Sequence, residues 1–555
     1  MKGQSLLSVL LLVTLSNASP YPSNISPRAV CNGNTATTRS EWCDFDISAD
    51  YYTTVPDTGV TREYWLELAD VTVSPDGVSR TAMAINGTIP GPTIFADWGD
   101  TVVVHVTNAL TTSVNGTSIH FHGIRQNFTN QNDGVASITQ CPTAVGETTT
   151  YTWRATQYGS TWYHSHFALQ AWQGVLGGII INGPASGNYD EDLGMLFLND
   201  WSHSTVDELF EEAQTTGPPT MDNGLINGTN VFGTDDSTTQ TGSRFNVSFV
   251  EGTSYRIRLV NGAVDTHFKF SIDNHTLTVI GTDLVPITPY TTNVVSIGMA
   301  SVATDFWMRA IPQVACSEND STDNIRGVVH YGDSTGTPTT TGFTYTDACD
   351  DEALSNLVPA LSKTVDDETD EILESVTVGQ TNNVFRWFLN STTMVVDWAD
   401  PTLLQLANNV TTFETSNAVV ELPNADEWAY VVIQTTLPIP HPIHLHGFDM
   451  FVLAQGAGTF SASTVTLNTA NPPRRDTAML PASGFLVLAF ETDNPGAWLM
   501  HCHIGWHTSE GFAMQFIVRR DEILNLVDTA TLEDTCSAWN SHVTVNSIVQ
   551  EDSGV

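Results

Sequence analysis

Ten of the sixteen histidines fall in four short clusters: His120-Phe-His122, His164-Ser-His166, His441-Pro-Ile-His444-Leu-His446 and His501-Cys-His503-Ile-Gly-Trp-His507. Each cluster contains a His-x-His step. On a β-strand, residues two apart project from the same face, so each step aims two imidazoles to one side. Neutral imidazole suits copper, zinc, iron or nickel. A zinc hydrolase typically needs about three protein ligands and one open position, so ten clustered histidines are too many for it. The fourth cluster narrows the choice. In His501-Cys502-His503 the two rings face one way and the thiol the other. Cys502, His507 and one distant histidine make a His2Cys set, the donor set of a blue copper electron-transfer centre. Cys502 would then hold one ion while its bonded neighbours hold a separate cluster, and electrons would have a covalent route between the two. A single His-x-His step is ordinary in a structural role; four in one chain, one of them enclosing a cysteine, are not. The remaining histidines, His105, His203, His267, His275, His330 and His542, read as structural or surface residues.

Strands must position these clusters, and the chain reads as all-β. Short runs rich in Val, Ile and Thr, such as Thr101-Val-Val-Val-His-Val-Thr107 and Tyr255-Arg-Ile-Arg-Leu-Val260, alternate with Gly, Pro, Asn and Asp turns such as Asn86-Gly-Thr-Ile-Pro-Gly-Pro92. Helical periodicity is scarce; its clearest candidates are 207–213 and the acidic stretch 366–373. Many short strands over this length predict β-sandwiches or barrels in series. A weak repeat supports that: Gly99-Asp-Thr leading into a strand is echoed at Gly252-Thr-Ser, and Ile180-Ile-Asn-Gly and Leu225-Ile-Asn-Gly both read as strand ends. Boundaries near residue 186 and within the acidic stretch 347–370 give three β domains, 31–185, 186–362 and 363–555, with the histidine clusters only in the first and third.

The 555 residues are too many for one core, and 41% hydrophobic with 14% charged residues describes a globular chain. The formal net charge of -42 repels nucleic acid and anionic membrane, which are excluded as partners. Lys2, the apolar run Leu6–Leu15 and the small residues to Ser19 form a signal peptide, with cleavage near Ala18 and a pro-segment over 19–30 that Arg28 could end. The leader is too short to span a bilayer, so a secreted, extracellular protein is expected, and a monomer. Sequons at Asn86, Asn115, Asn127, Asn227, Asn246, Asn274, Asn390 and Asn409 fit a secreted glycoprotein. Of the seven cysteines, six can form three disulfides in an oxidising compartment. The seventh, Cys502, is the expected free thiolate.

The four clusters, in this order and near the two ends of the chain, resemble the copper signatures of multicopper oxidases. Asn86-Gly-Thr-Ile-Pro-Gly-Pro, Trp162-Tyr-His-Ser-His-Phe, Pro472-Pro-Arg-Arg-Asp476 and Thr492-Asp-Asn-Pro-Gly-Ala-Trp-Leu499 resemble the ascomycete laccases in particular. The resemblance implies three consecutive cupredoxin-like domains and four copper ions. His441, Cys502 and His507 match the type 1 ligands, and His120 and His444 the type 2 ligands. His122, His164, His166, His446, His501 and His503 match the type 3 pair. It implies disulfides Cys31–Cys43, Cys141–Cys536 and Cys316–Cys349. The axial position, ten residues after the cysteine, is Phe512, which cannot ligate copper; axial identity tunes potential, so a high-potential site is expected. Met514 is the alternative at a poorer offset, expected to pack in the core.

The activity implied is that of a benzenediol:oxygen oxidoreductase, drawing single electrons from phenols or aromatic amines, lignin-derived phenols among them, and reducing dioxygen to two waters. Electrons would pass from Cys502 through His501 and His503. Asp133, eleven residues after His122, matches a family acid beside the cluster and is expected to supply protons. Donor binding is expected at His507 with Phe385, Trp387, Leu437 and Ile439 as apolar walls. Relatives place an acid of the middle domain near the donor; Gln240–Arg244 offers no aligned carboxylate, with Asp235 and Asp236 only nearby. The tail Asp552-Ser-Gly-Val555 resembles the family's C-terminal plug toward the cluster. A ferroxidase or other metallo-oxidase of the same family is the alternative activity.

Overall fold

The computed structural model describes residues 31–294, 304–366 and 370–555. The apolar leader and Arg28 lie outside these. His120, His164, His441, His444 and His501 lie on strands, His122, His166, His446 and His503 just past the strand ends, and His507 on the short helix Gly505–Ser509. One four-stranded sheet joins Gly91–Asp97, Leu176–Asn182, Gly159–Ser165 and Ile119–Phe121, and packs on a second made of Arg80–Ile85, Thr61–Val73, Thr101–Asn108 and Thr148–Arg154. Along Thr101–Asn108 burial alternates strictly, with Val102, Val104 and Val106 in the core and the residues between them half-buried. That is the pattern of a sheet wet on one side.

The middle region builds a three-stranded sheet (Asn223–Ile226, Glu191–Trp201, Tyr255–Asn261) and a four-stranded one (Asn246–Phe249, Arg326–Tyr331, Asp305–Pro312, Phe268–Ile272) around a core containing Phe245, Phe270 and Phe306. The last region has a six-stranded and a five-stranded sheet. Its central strands Trp428–Thr435, Gly484–Glu491 and Gly496–Cys502 are buried nearly throughout. Unbroken apolar runs there, rather than alternation, are what a strand covered on both faces needs.

One turn recurs in all three regions, and of the repeated sequence segments it includes Leu225-Ile-Asn-Gly. Asn86, Asn227 and Asn390 each adopt a left-handed conformation, with φ of 51°, 46° and 44°, which asparagine tolerates well. Each side chain bridges to a neighbouring strand in the same way. The amide of Asn86 donates to the Trp65 carbonyl and accepts from the Glu67 N–H; Asn227 does so with Met195 and Phe197, and Asn390 with Leu373 and Ser375. The carboxamide thus stands in for a strand residue where the chain turns back.

Two expectations about helices meet different outcomes. Thr205 caps the helix Val206–Thr216 through a capping box with Glu208, and Val206, Leu209 and Ala213 are buried beneath it. The acidic stretch is different: Asp370–Thr381 is a strand, pairing in parallel with Trp428–Thr435. Its Glu-Ile-Leu-Glu-Ser-Val-Thr-Val text offers β-branched residues at a period of two, and a long partner strand decides the matter. The helix Thr529–Asn546 is unforeseen; it buries Leu532, Cys536 and Trp539 against the first sheet pair's loops and the last domain.

The three cystines pair as the resemblance implies: Cys31–Cys43, Cys141–Cys536 and Cys316–Cys349, with Cys502 free and buried. The second closes a separation of 395 residues, tying that helix to the loop after Asp133. Among the described residues no helix is long and apolar enough to cross a membrane. Replacing Cys536 by Ser should lower unfolding stability by roughly 2–5 kcal/mol; a melting temperature equal to that of the parent would show that the helix is held by packing alone.

Candidate metal centres

Strand register brings the clusters together. His120 lies opposite His164 across an antiparallel pair, and His444 lies opposite His501 across another. These two strand pairs come from the two ends of the chain and face each other. Three groups of ligand atoms result, each within 4.8 Å: His120, His122 and His444; His122, His164 and His503; His166, His446 and His501. A fourth, His441, Cys502 and His507, lies on the other side of the strand that carries Cys502. All ten histidines of the clusters and Cys502 are thereby placed in or beside these groups, and all four groups are buried or nearly so.

The hydrogen bonds around the rings fix which nitrogen points inward. Nδ1 of His120 donates to the Asp133 carbonyl at 2.8 Å, that of His164 to the Ser165 carbonyl at 2.9 Å and that of His444 to the Asp476 carbonyl at 2.6 Å. His446 Nδ1 donates to Asp133 Oδ2 at 2.9 Å, His501 Nδ1 to the Cys502 carbonyl at 2.8 Å, and His122 Nε2 to Asp476 Oδ1 at 3.2 Å. With those nitrogens committed as donors, the others carry bare lone pairs. His120 Nε2, His122 Nδ1, His164 Nε2 and His444 Nε2 are buried with no partner. His446 Nε2 and His501 Nε2 face one another at 3.3 Å, and His441 Nδ1 and His507 Nδ1 at 3.2 Å. Between His446 and His501, whose outer nitrogens are both committed as donors, converging lone pairs repel unless a cation lies among them. The donor set fits metal ions, with outer acceptors orienting each ring as is usual around a bound metal.

Electrostatics agree. Burial holds His122, His164, His166, His444, His446, His501 and His507 well below the ordinary histidine value, and brings His441 down to about 3 and His503 to about 4. The rings are neutral and ready to ligate. Burial also pushes the Cys502 thiol up, so only a metal cation would hold it as thiolate here.

Asp133 sits in the turn Asn132-Asp133-Gly134. Gly134 has φ of 79°, and a Cβ there would collide with the Ile119 carbonyl. The turn therefore requires glycine, and it presents Asp133 to rings from both ends of the chain, His120 and His446. Sequence reasoning missed Asp476, which serves His122 with its carboxylate and His444 with its carbonyl. Its place in the Pro472-Pro-Arg-Arg-Asp476 text was the available signal.

Around Cys502, Phe512 is 1% exposed and its ring lies 5.0 Å from that of His441. Met514 packs in the core of the last domain. Trp387 lies against His507, His441 and Phe512 at ring distances of 4.2, 4.9 and 5.6 Å. Phe385, Leu437 and Ile439 are half-buried. Gln240–Arg244 contains no acid, and the middle-domain carboxyl that acts on Cys502 is Asp265. Asp235 is engaged with Arg244 and Arg326, whereas Asp265 follows the strand Tyr255–Asn261. The Asp200 carboxylate accepts the backbone N–H groups of Val264, Asp265 and Thr266 and so fixes that loop. The Val264 carbonyl in turn accepts from Gly505 N–H, two residues before His507. Burial and Asp200 push Asp265 up to about 7. It was missed because one acid after a strand carries no signal until the fold brings it to Gly505.

The tail is built in. Ser553 and Val555 are buried; Ser137 Oγ donates to the Gly554 carbonyl at 2.6 Å, and Ser553 Oγ to that of Thr508 at 2.8 Å. Thr508 Oγ1 donates to the Cys502 carbonyl. Of the other histidines, His105 pairs with Glu63, His203 with Asp76 and His330 with Asp305.

The comparisons with known proteins agree with this architecture. Three multicopper oxidase family models match residues 67–186, 192–333 and 390–522. The chain belongs to the multicopper oxidases, with three consecutive cupredoxin-like domains and copper as cofactor. It is 47% identical to Laccase-2 of Botryotinia fuckeliana, over 97% of this chain and 96% of that one. The crystal structure of a laccase from Botrytis aclada superposes with a TM-score of 0.89 at 46% identity, covering 94% of this chain and 99% of that one. Fet3p, described as a multicopper oxidase that functions in iron import, shares the fold at 24% identity and a TM-score of 0.76, over 89% of this chain and 97% of that one.

A histidine with a depressed pKa binds fewer protons folded than unfolded between that depressed value and about 6.5. The histidines' contribution to the stability of the copper-free protein should therefore be complete above pH about 6.5 and be lost as the pH falls below it, outweighing the opposite, smaller contribution of buried carboxyls such as Asp265. A melting temperature unchanged down to pH about 5 would contradict neutral buried rings.

Proposed function

We propose that this protein is a secreted, glycosylated laccase holding four copper ions. His441, Cys502 and His507 would form the type 1 site. His120 and His444 would bind the type 2 ion, with His122, His164 and His503 on one type 3 ion and His166, His446 and His501 on the other. The observation that carries this reading is the His501-Cys502-His503 step, with its thiol on one face and its rings on the other. Bound copper supplies one-electron acceptance from a donor and four-electron delivery to dioxygen. The domain limits 31–185, 186–362 and 363–555, an N-terminal leader over 1–18 and a monomeric state belong to the same reading.

The residues divide the work. Cys502 is joined by one peptide bond to each of His501 and His503, a covalent path between donor oxidation and dioxygen reduction. Phe512 packs against His441 and offers no donor atom, so a copper held by His441, Cys502 and His507 would gain no ligand from it, which would favour a high potential. Asp133 touches rings of the cluster from both ends of the chain and is placed to hand protons to dioxygen as it is reduced. The Ser553–Val555 tail closes the wall beside Ser137 and Thr508 and limits solvent there.

A phenol gives up its proton as it gives up an electron, so a carboxylate near the donor favours the reaction. Asp265 is that group in this reading, with Phe385, Trp387, Leu437 and Ile439 as apolar walls beside His507. Asp265→Asn should raise KM for phenols about tenfold, the loss of one charge-assisted hydrogen bond. A donor without an ionisable hydroxyl should be little affected, and an equal loss for both donors would remove Asp265 from this role.

The decisive experiment combines copper counting, visible and EPR spectroscopy, and dioxygen uptake with a phenol beside Fe(II). Four coppers, an intense blue band and preference for the phenol are expected. Preference for Fe(II) would favour the ferroxidase alternative, and absence of the blue band would end the copper-thiolate reading.

A further inference from the structure

Glu510 has no task in the chemistry above, yet it is a carboxylate only 3% exposed, three residues after His507. It grips Trp387 at two points. Its carbonyl accepts the Trp387 backbone N–H at 3.0 Å, and its Oε2 accepts the indole Nε1–H, also at 3.0 Å. Its other oxygen, Oε1, is buried with no hydrogen-bond partner. Burying a carboxylate is costly, and half-satisfying it more so. A serine or a backbone carbonyl could receive an indole N–H at far less cost. Burial pushes this carboxyl up to about 8, and the indole hydrogen bond and Arg386, beside Trp387 on the strand Val384–Leu389, offset only part of that.

The gripped ring is what gives this arrangement consequence. The Trp387 indole lies 4.2 Å from the His507 ring and 4.9 Å from that of His441, and it stacks on Phe512 at 5.6 Å with 23° between planes. It therefore borders both imidazoles of the Cys502 site and the residue in the axial position. Its N–H is its sole polar atom, and Glu510 holds it. With the backbone clamped at the same residue, the indole has little freedom to rotate within its slot.

We propose that Glu510 is a positioning residue of the donor-oxidising site: through the indole N–H it sets the orientation of Trp387, and through that ring the geometry of His441 and His507 around Cys502 and the apolar wall a donor meets. The proposal rests on the type 1 reading of His441, Cys502 and His507. Copper content and the blue band of the parent protein test that reading separately.

The test uses the full chain loaded with copper and compares Glu510→Ala, Glu510→Gln, Trp387→Phe and the Ala–Phe double variant. Readouts are the type 1 EPR signal, the energy of the blue band, and KM against kcat for one phenol. Glu510→Ala should shift the EPR signal and blue band and raise KM several-fold with a smaller change in kcat. Glu510→Gln keeps an oxygen acceptor for the indole and should restore both spectrum and KM. Trp387→Phe removes the donated N–H and should itself shift the spectrum, and adding Glu510→Ala to it should change nothing further. The proposal fails if Glu510→Ala leaves the type 1 signal and KM unchanged at full copper content. It fails equally if Glu510→Gln is displaced as far as Glu510→Ala, which would assign the effect to charge rather than orientation. Should Glu510→Ala not load copper, Glu510→Gln and Trp387→Phe alone decide: a normal spectrum in Trp387→Phe overturns the proposal.

Discussion

Everything in this molecule is arranged around one constraint: many unprotonated imidazole nitrogens must point at one another inside a dry interior. Left alone, such an array would repel itself or take up protons. The fold prevents rotation by engaging the outer nitrogens of six rings, through Asp133, Asp476 and backbone carbonyls of Ser165 and Cys502. The inner nitrogens are then committed to a cation before any cation arrives. This is preorganisation, and its energetic cost is spread through the sheets that hold the strands in register.

The rigidity of those sheets follows from the same demand. Where the last domain carries Cys502, its strands are apolar on both faces, so neither side can slide to relieve the crowded rings. Where the first domain faces water, its strands alternate. The recurring asparagine turns finish the strand ends without a loop that could flex. The donor side is built otherwise. There the Asp200-fixed loop of the middle domain, the Trp387 strand and the segment after His507 meet, and contacts between separate elements set the geometry.

Much of this was legible in the sequence, for identifiable reasons. The two-residue spacing of the histidines is a property of strands themselves, so ligand faces could be read without any knowledge of tertiary packing. Cys502 was legible because its neighbours on both sides are histidines. The disulfides and the plug came from resemblance, not from the residues. Asp265, Asp476 and Glu510 were not legible as site residues, because each gains meaning only from a partner far away in the chain: Gly505, His122 and Trp387. The stretch 370–381 misled because acidic residues on a partly exposed strand resemble a solvated helix until the parallel partner Trp428–Thr435 is known. The C-terminal helix carries few apolar residues, and Cys536 and Trp539 declare its buried side only in the folded protein.

The rings that converge on the cluster come from residues 120–166 and 444–503, so neither end of the chain contains a complete set. Ions bound there would also be cross-links between domains distant in sequence, and the intervening middle domain would act as a tether that sets the local concentration of one half around the other. Loading such a site is an assembly step as much as a binding step. The shape of the whole chain, not just the colour of one centre, becomes a reporter of how many ions it has taken up.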